Sequence, residues 1–188
     1  MKTLKGAEEP MEAADAAREH GQYLTFALGG EMFMIDIRHI KEIIEYGGIT
    51  PVPMMPEFIR GVINLRGSVV PVIDLAVRFG RQAGAVTRRT CIVIVEIETG
   101  GERHDIGVVV DSVSEVLELP FSDIEPPPAF GAKIRTDFIH GMGKINGKFM
   151  IILSVNTVLS VDDITMLMDL GTEANMPGGE AAASAAMG

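Results

Sequence analysis

Apolar residues along this chain occur in short runs that are separated by glycine, proline or charged residues. β-Branched and aromatic residues favour strands, and two glycines between such runs are typical of a hairpin turn. Two pairs of runs have this form: 23–28 and 32–37 around Gly29-Gly30, and 91–97 and 106–110 around Gly100-Gly101. The pattern therefore predicts a succession of antiparallel hairpins.

Further patterns extend this prediction along the chain. The runs at 62–65 and 69–75 predict a hairpin around Arg66-Gly67, and 148–153 predicts a final strand. The isoleucines at 40–44 have helical spacing, but β-branched side chains fit a bent strand equally well. Aliphatic positions over 155–170 predict a short C-terminal helix, and the prolines at 51–56 and 126–128 predict loops. Short strands with regular turn signals favour an all-β barrel or sandwich.

An internal repeat divides the chain further. Residues 58–75 and 138–155 align without a gap and share a Phe, an Ile and two Gly, and a fainter match relates 33–44 to 108–117. A coincidence among glycine-rich hairpins is the alternative, but the pattern favours two related β subdomains in tandem, roughly 21–85 and 86–160. A groove between two such subdomains is where we expect a ligand or a partner segment to bind.

Composition and charge exclude several classes of function. The ends, 1–20 and 171–188, have few large apolar residues and are predicted to be flexible tails beside a folded body at 21–170. A formal net charge of -10, from 16 basic and 26 acidic residues, argues against nucleic acid and against an anionic membrane surface. We find no apolar run long enough for membrane insertion and no secretory leader, which predicts a soluble protein in a reducing compartment.

The residues that could carry chemistry do not form a recognisable catalytic or metal-binding pattern. The four histidines lack metal-ligand spacing, no GxSxG nucleophile motif occurs, and Ile145 stands where a phosphate-binding loop needs Ser or Thr. Cys91, the single cysteine, cannot form a disulfide within one chain, and no base for a nucleophilic role can be named. We therefore predict a non-enzymatic protein without a metal or cofactor.

Charged residues within the apolar segments are the better candidates for an interaction site. Arg66 lies at a predicted hairpin tip, where its guanidinium can bridge carbonyls or a carboxylate, or contact only solvent. Asp74 is one possible partner for it. Glu42 lies among isoleucines, either as a site residue or on an amphipathic edge that packs on the core.

The segment IRGVINLRGSVVPVIDL, at 59–75, closely resembles the signature of the CheW family of chemotaxis coupling proteins. YLTFALGGEMFMIDIRHIKEII, IGVVVDSVSEVLEL and FIHGMGKINGKFMIILSV resemble other parts of that family, so that the resemblance covers roughly 21–170. It implies two SH3-like five-stranded barrels in a non-enzymatic adaptor. Such an adaptor bridges chemoreceptor cytoplasmic tips to the regulatory domain of the CheA histidine kinase, in cytoplasmic arrays associated with membrane receptors.

The resemblance also implies site residues. The receptor-binding set is Ile40, Glu42, Asn64, Arg66, Cys91 and Val116; the kinase-binding set is Ile37, Ile43, Val52 and Phe130. Glu125 and Ala129 stand where well-known relatives carry a basic and an acidic residue, so charge pairing there would be lost or reversed. A small-ligand-binding protein, or an uncharacterised enzyme that uses the groove between the barrels, is the alternative that the residues leave open.

Overall fold

The structure, a computed structural model, describes residues 19–128 and 134–159. Most of these residues lie in strands, which confirms the predicted mainly-β fold. The strands are β1 His20–Leu28, β2 Glu31–Asp36, β3 Ile40–Glu45, β4 Ile59–Leu65, β5 Ser68–Asp74, β6 Cys91–Thr99, β7 Glu102–Val110, β8 Ser112–Pro120, β9 Ile124–Glu125, β10 Ile139–Ile145 and β11 Lys148–Leu153. Short helices follow at Leu75–Arg78 and Val155–Val158, and 3-10 turns at Ile37–His39, Phe121–Asp123 and Thr136–Phe138.

The local elements agree with the sequence in most places. Each predicted hairpin is present, and the undecided segment at 40–44 is strand β3. The long strand β8 was not predicted, because its centre alternates poorly and is largely exposed. The C-terminal helix begins at Val155. Residues 160–170 and the two predicted tails lie outside the described residues, except for Glu19 and His20 at the end of the N-terminal tail.

The strands form two sheets that are packed together. The six-stranded sheet has the order β8-β1-β2-β11-β10-β9, and the five-stranded sheet has the order β3-β6-β7-β5-β4. Neighbouring strands are antiparallel except for β2 with β11 and β5 with β7, which are parallel. The parallel pair occupies the same place in both sheets, so the sheets repeat one arrangement.

The two sheets do not coincide with the two predicted subdomains, 21–85 and 86–160, and that division stays a prediction. The order of elements does repeat, but β3 pairs with β6 of the second repeat and β8 pairs with β1 of the first. A single residue, Asp111, joins β7 to β8. A tight hairpin turn needs about two residues, so β8 does not fold back to pair with β7 and continues into the other sheet instead. Each sheet thus combines the first hairpin of one repeat with the later strands of the other repeat. The six-stranded sheet joins β1 and β2 to β8–β11, and the five-stranded sheet joins β6 and β7 to β3–β5.

The main core lies where the two sheets face each other. Phe26 and Phe33 from the six-stranded sheet pack in one cluster with Val93 and Ile106 from the five-stranded sheet. Two smaller clusters contain residues of only one sheet each. Apolar area removed from water stabilises a fold by about 25 cal/mol per Å², so this shared cluster holds the sheets together.

Arg78 joins equivalent positions of the two repeats. Its guanidinium carbon lies 5.0 Å from the ring centre of Phe58 and 4.7 Å from that of Phe138. Its Nε donates a hydrogen bond of 3.0 Å to the Val158 carbonyl oxygen. A cation between two aromatic faces is attracted to both, so Arg78 fixes the ends of the two hairpins relative to each other.

The repeated glycines Gly61 and Gly141 mark a close approach of backbone segments. Both follow a register shift in their hairpins. A Cβ on Gly61 would overlap the Thr50 carbonyl oxygen, and its φ is 146°. A Cβ on Gly141 would meet Ile124 Cγ2 at 2.8 Å and the Glu125 oxygen at 3.1 Å. At Gly61 the obstacle is fixed backbone, because Thr50 exchanges two hydrogen bonds with Val62.

We predict that Gly61→Ala destabilises the fold much more than Gly141→Ala. Gly61→Ala should lower the free energy of unfolding by about 3 kcal/mol, because the backbone must move and the residue is strained. Gly141→Ala should lower it by about 1 kcal/mol, because the Ile124 side chain can shift. Urea unfolding of both variants measures this difference, and equal losses would contradict the explanation.

Candidate functional site

Arg66 occupies an unusual backbone position at the tip of the β4–β5 hairpin. Arg66 and Gly67 have φ values of 52° and 87°, so both turn residues are left-handed. Such two-residue turns favour Asn and Gly, as found at the equivalent Asn146-Gly147. Asn64 supports the turn, since its Oδ1 accepts a 2.8 Å hydrogen bond from the Gly67 amide. An arginine at this position is strained, and strain of this kind often accompanies a functional side chain.

Arg66 forms a two-pronged ion pair with Glu42. Its Nη1 lies 2.6 Å from Glu42 Oε2, and its Nη2 donates a 2.7 Å hydrogen bond to Oε1. Glu42 is on β3 and Arg66 follows β4, which are the two edge strands of the five-stranded sheet. The Arg66 side chain is 71% exposed and that of Glu42 is 28% exposed. The pair therefore links the sheet edges and leaves the guanidinium exposed at the surface.

The pair is ionised at neutral pH. The hydrogen bond from Arg66 is the main cause that lowers the pKa of Glu42. The same bond raises the pKa of Arg66 above its ordinary value. Both shifts favour the charged forms, so the site carries a bidentate ion pair at its surface.

Asp74 is not the partner of Arg66. Its Oδ2 accepts hydrogen bonds of 2.9 and 2.7 Å from Arg60 Nε and Nη2, and Arg60 Nη1 donates to the Tyr46 hydroxyl at 2.9 Å. Sequence reasoning missed Arg60. The available signal was a charged residue within the apolar segment that also contains Asp74. This partly buried network stabilises the hairpin from which Arg66 projects.

Ile40 lies on the same strand as Glu42, and Cys91 begins the neighbouring strand β6. Ile40 is opposite Val95 and packs on the main core, while Cys91 is opposite Glu45 at the start of β6. Burial raises the pKa of the Cys91 thiol, and a hydrogen bond from the Val113 backbone opposes that shift. The thiol donates to the Arg89 carbonyl oxygen at 3.3 Å. These contacts describe a packed thiol at the junction of the sheets, not an activated nucleophile.

The remaining predicted receptor residue, Val116, lies in the other sheet. It is exposed on the edge strand β8, opposite Leu24 of β1. Val113, on the same strand, packs beside Cys91 against the main core. The predicted set thus spans the junction of the two sheets: Glu42, Asn64 and Arg66 are brought together, while Val116 lies across that junction.

The predicted kinase residues are divided between the core and the surface. Ile37 and Val52 are partly buried against the main core. Ile43 is 44% exposed and alternates along β3 with Glu42, so the two side chains face opposite ways. Glu125 is exposed on β9 and pairs with Met142. Phe130 and Ala129 lie outside the described residues.

Two further features of the described part of the chain bear on function. Among residues 19–128 and 134–159, no group of three or more His, Cys, Asp or Glu side chains is arranged to hold a metal ion. No helix within these ranges has the length and apolar character needed to cross a membrane.

Comparison with known proteins agrees with this geometry. A family model described as the CheW-like domain matches residues 22–163. The chemotaxis protein CheW of Klebsiella aerogenes is 35% identical over 146 residues, covering 78% of this chain and 86% of that protein. CheW of Treponema pallidum is 27% identical over 168 residues, covering 89% and 97%. The crystal structure of the scaffolding protein TtCheW from Thermoanaerobacter tengcongensis has 33% identity and a TM-score of 0.69, covering 87% of this chain and 96% of that one. This chain belongs to the CheW-like domain family.

Proposed function

We propose that this chain is a non-enzymatic chemotaxis adaptor that couples chemoreceptor cytoplasmic tips to a CheA-type histidine kinase. In this role it controls kinase autophosphorylation by holding receptor and kinase in one cytoplasmic array. Family membership supports the adaptor role, and the exposed Arg66–Glu42 pair is the observation that supports a docking site. An adaptor consumes nothing, so it needs binding surfaces rather than catalytic groups.

The receptor surface is proposed around the Arg66–Glu42 pair. It comprises Ile40, Glu42, Asn64, Arg66, Cys91 and Val116. A partner helix that lies along the junction of the sheets would contact apolar side chains and the Arg66–Glu42 ion pair, as in helix-in-groove recognition. Asn64 Oδ1 is bonded to the turn, and the terminal guanidinium nitrogens of Arg66 are bonded to the Glu42 carboxylate. This favours a shaped surface for a helix over a small-ligand pocket at the same place.

The kinase surface is proposed on a different side of β3. Ile43 is the exposed member of its set, and Ile37 and Val52 support it from the core; Phe130 is proposed to contribute from the second repeat. A separate surface allows receptor and kinase to bind together, which a coupling protein requires. At 125 and 129 the sequence departs from the familiar relatives, so contacts there are proposed to lack their charge pairing.

The direct test is phosphate incorporation into a CheA-type kinase, with a receptor cytoplasmic fragment present, as this chain is titrated in. A receptor-dependent change in the rate supports coupling. No effect on the rate, together with binding to neither partner, would refute the proposed function.

We predict that Arg66→His or Arg66→Ala weakens receptor-dependent kinase control by about tenfold while unfolding stays cooperative. The pair is exposed, so its loss should change stability little, whereas the receptor surface loses its fixed charge. The kinase assay and thermal unfolding measure the two effects. A variant that fails to fold would instead make Arg66 a structural residue, and Asn146→Ala at the equivalent turn serves as the control.

We predict that Arg66→Ala raises the pKa of Glu42 toward its ordinary value. The folded-state pKa of Glu42 is depressed, so the pair contributes above the unfolded pKa of about 4.3 and is lost as pH falls through the folded value. Carbon-detected NMR titration of the Glu42 carboxyl in both proteins measures the shift. An unchanged pKa would mean that the two side chains do not pair in solution.

We predict that Ile43→Ser lowers affinity for the kinase regulatory domain by about tenfold and leaves receptor binding unchanged. Serine removes an exposed apolar contact without disturbing the core. Val86→Ser is the matched control, because Val86 is 52% exposed and belongs to no proposed surface. Calorimetric titration with each partner measures the effect, and equal affinities for the two variants would remove Ile43 from the kinase surface.

A further inference from the structure

A cleft lies beside the six-stranded sheet, next to the turn that contains Ile37. It has a volume of about 530 Å³, within the range of ligand sites. It is bounded by the 3-10 turns Ile37–His39 and Phe121–Asp123, by β10 and by the start of the helix Val155–Val158. None of the described residues proposed to contact receptor or kinase is among those that line it.

Tyr23 supplies an unused hydrogen-bond donor to this cleft. The residue is only 3% exposed, yet its hydroxyl makes no hydrogen bond to any residue in the described ranges. Burial, and secondly the charge of Asp36, raise the pKa of this phenol, so it keeps its proton at neutral pH. No buried side-chain nitrogen or oxygen among the described residues lacks a partner, so the Tyr23 hydroxyl is reached from the open cleft and is a donor available to a ligand there.

Other polar groups in the cleft are also available as donors. Neither His39 nor His140 hydrogen-bonds to another described residue, although both line the cleft. Asn156 uses its Oδ1 to accept from the Glu98 amide at 3.4 Å, which leaves its NH₂ group for a ligand. Four side chains therefore offer N–H or O–H groups to whatever occupies this space.

The acidic side chain of the cleft is already saturated. Asp36 Oδ1 accepts from the Arg38 amide at 2.9 Å and from Nε at 3.1 Å. Asp36 Oδ2 accepts from Nε at 3.1 Å and from Nη2 at 2.7 Å. This closed pair neutralises the aspartate and uses its acceptor capacity. The side-chain donors that remain available in the cleft thus favour an acceptor, and a carboxylate provides two such oxygens.

We infer that this cleft binds a small molecule with one carboxylate and an apolar body about the size of a ring. The Tyr23 hydroxyl and the imidazoles donate to the carboxylate. The apolar body packs against Phe121, Ile124 and Leu153, which form the wall of the cleft. A doubly charged phosphate fits less well, because the one arginine among the described lining residues, Arg38, is already paired with Asp36.

Phenylacetate is the probe, and its neutral analogue phenylacetamide is the matched ligand control. In an NMR titration of the full chain, phenylacetate should shift the amides of residues 36–39 and 154–156, with a Kd on the order of 1 mM. Phenylacetamide should bind at least about fivefold more weakly, because it lacks the charged acceptor.

Tyr23→Phe should weaken phenylacetate binding by about fivefold or more, since it removes one donor and keeps the ring. Tyr46→Phe is the matched protein control, because Tyr46 bonds to Arg60 and lies outside the cleft. His140→Ala, at an exposed position, gives a second variant that should weaken binding without disturbing the fold.

Any of three results would overturn the inference: no saturable shifts at ten times the expected Kd, equal binding of the acid and the amide, or equal binding by Tyr23→Phe and Tyr46→Phe. The titration contains no receptor or kinase. Its result is therefore independent of the adaptor role.

Discussion

The structure depends on the two points at which the chain passes from one sheet to the other. At the second point, Asp111 alone connects β7 to β8, and its Oδ2 accepts a 2.7 Å hydrogen bond from the Gly29 amide. Its own amide donates to the Ala27 carbonyl oxygen at 2.9 Å. At the first point, Asp36 holds the 3-10 turn before β3. Because β3 pairs with β6 and β8 pairs with β1, the two repeats cannot separate without breaking strand pairs, and we expect them to unfold together.

The same exchange creates the candidate docking site. It places β3 beside β6, at the edge of a sheet whose other edge is β4. Glu42 and Arg66 then connect these edges, and the Thr50–Val62 bridge connects the segment after β3 to β4. A partner that binds here contacts strands from both repeats. A surface built on paired strands is held rigidly, so a partner would lose less freedom on binding than it would with a mobile loop.

What could be predicted from the sequence was local. The hairpins follow from apolar runs and turn glycines, and Arg66 stood out because it interrupts such a run. The exchange of strands could not be predicted, because the pairing of β1 with β8 joins residues about ninety positions apart, as in Thr25 with Glu115. Asp74 was considered as a partner for Arg66 because it lies nearby in sequence. The actual partner, Glu42, lies 24 positions from Arg66 in the sequence and on the opposite edge strand of the sheet, while Asp74 is bonded to Arg60.

The repeat provides an internal comparison that separates structural from functional residues. Where the backbone demands a residue, the repeats agree: Gly61 and Gly141 both lie under an approaching strand. At the hairpin tips they differ, with Arg66 in one repeat and Asn146 in the other, although both adopt nearly the same left-handed φ. Asparagine satisfies that turn with less strain, so the turn alone does not explain the arginine. The arginine is explained by its pairing with Glu42 and by its exposed positive charge. The residue that distinguishes this surface therefore lies at the tip of the β4–β5 hairpin.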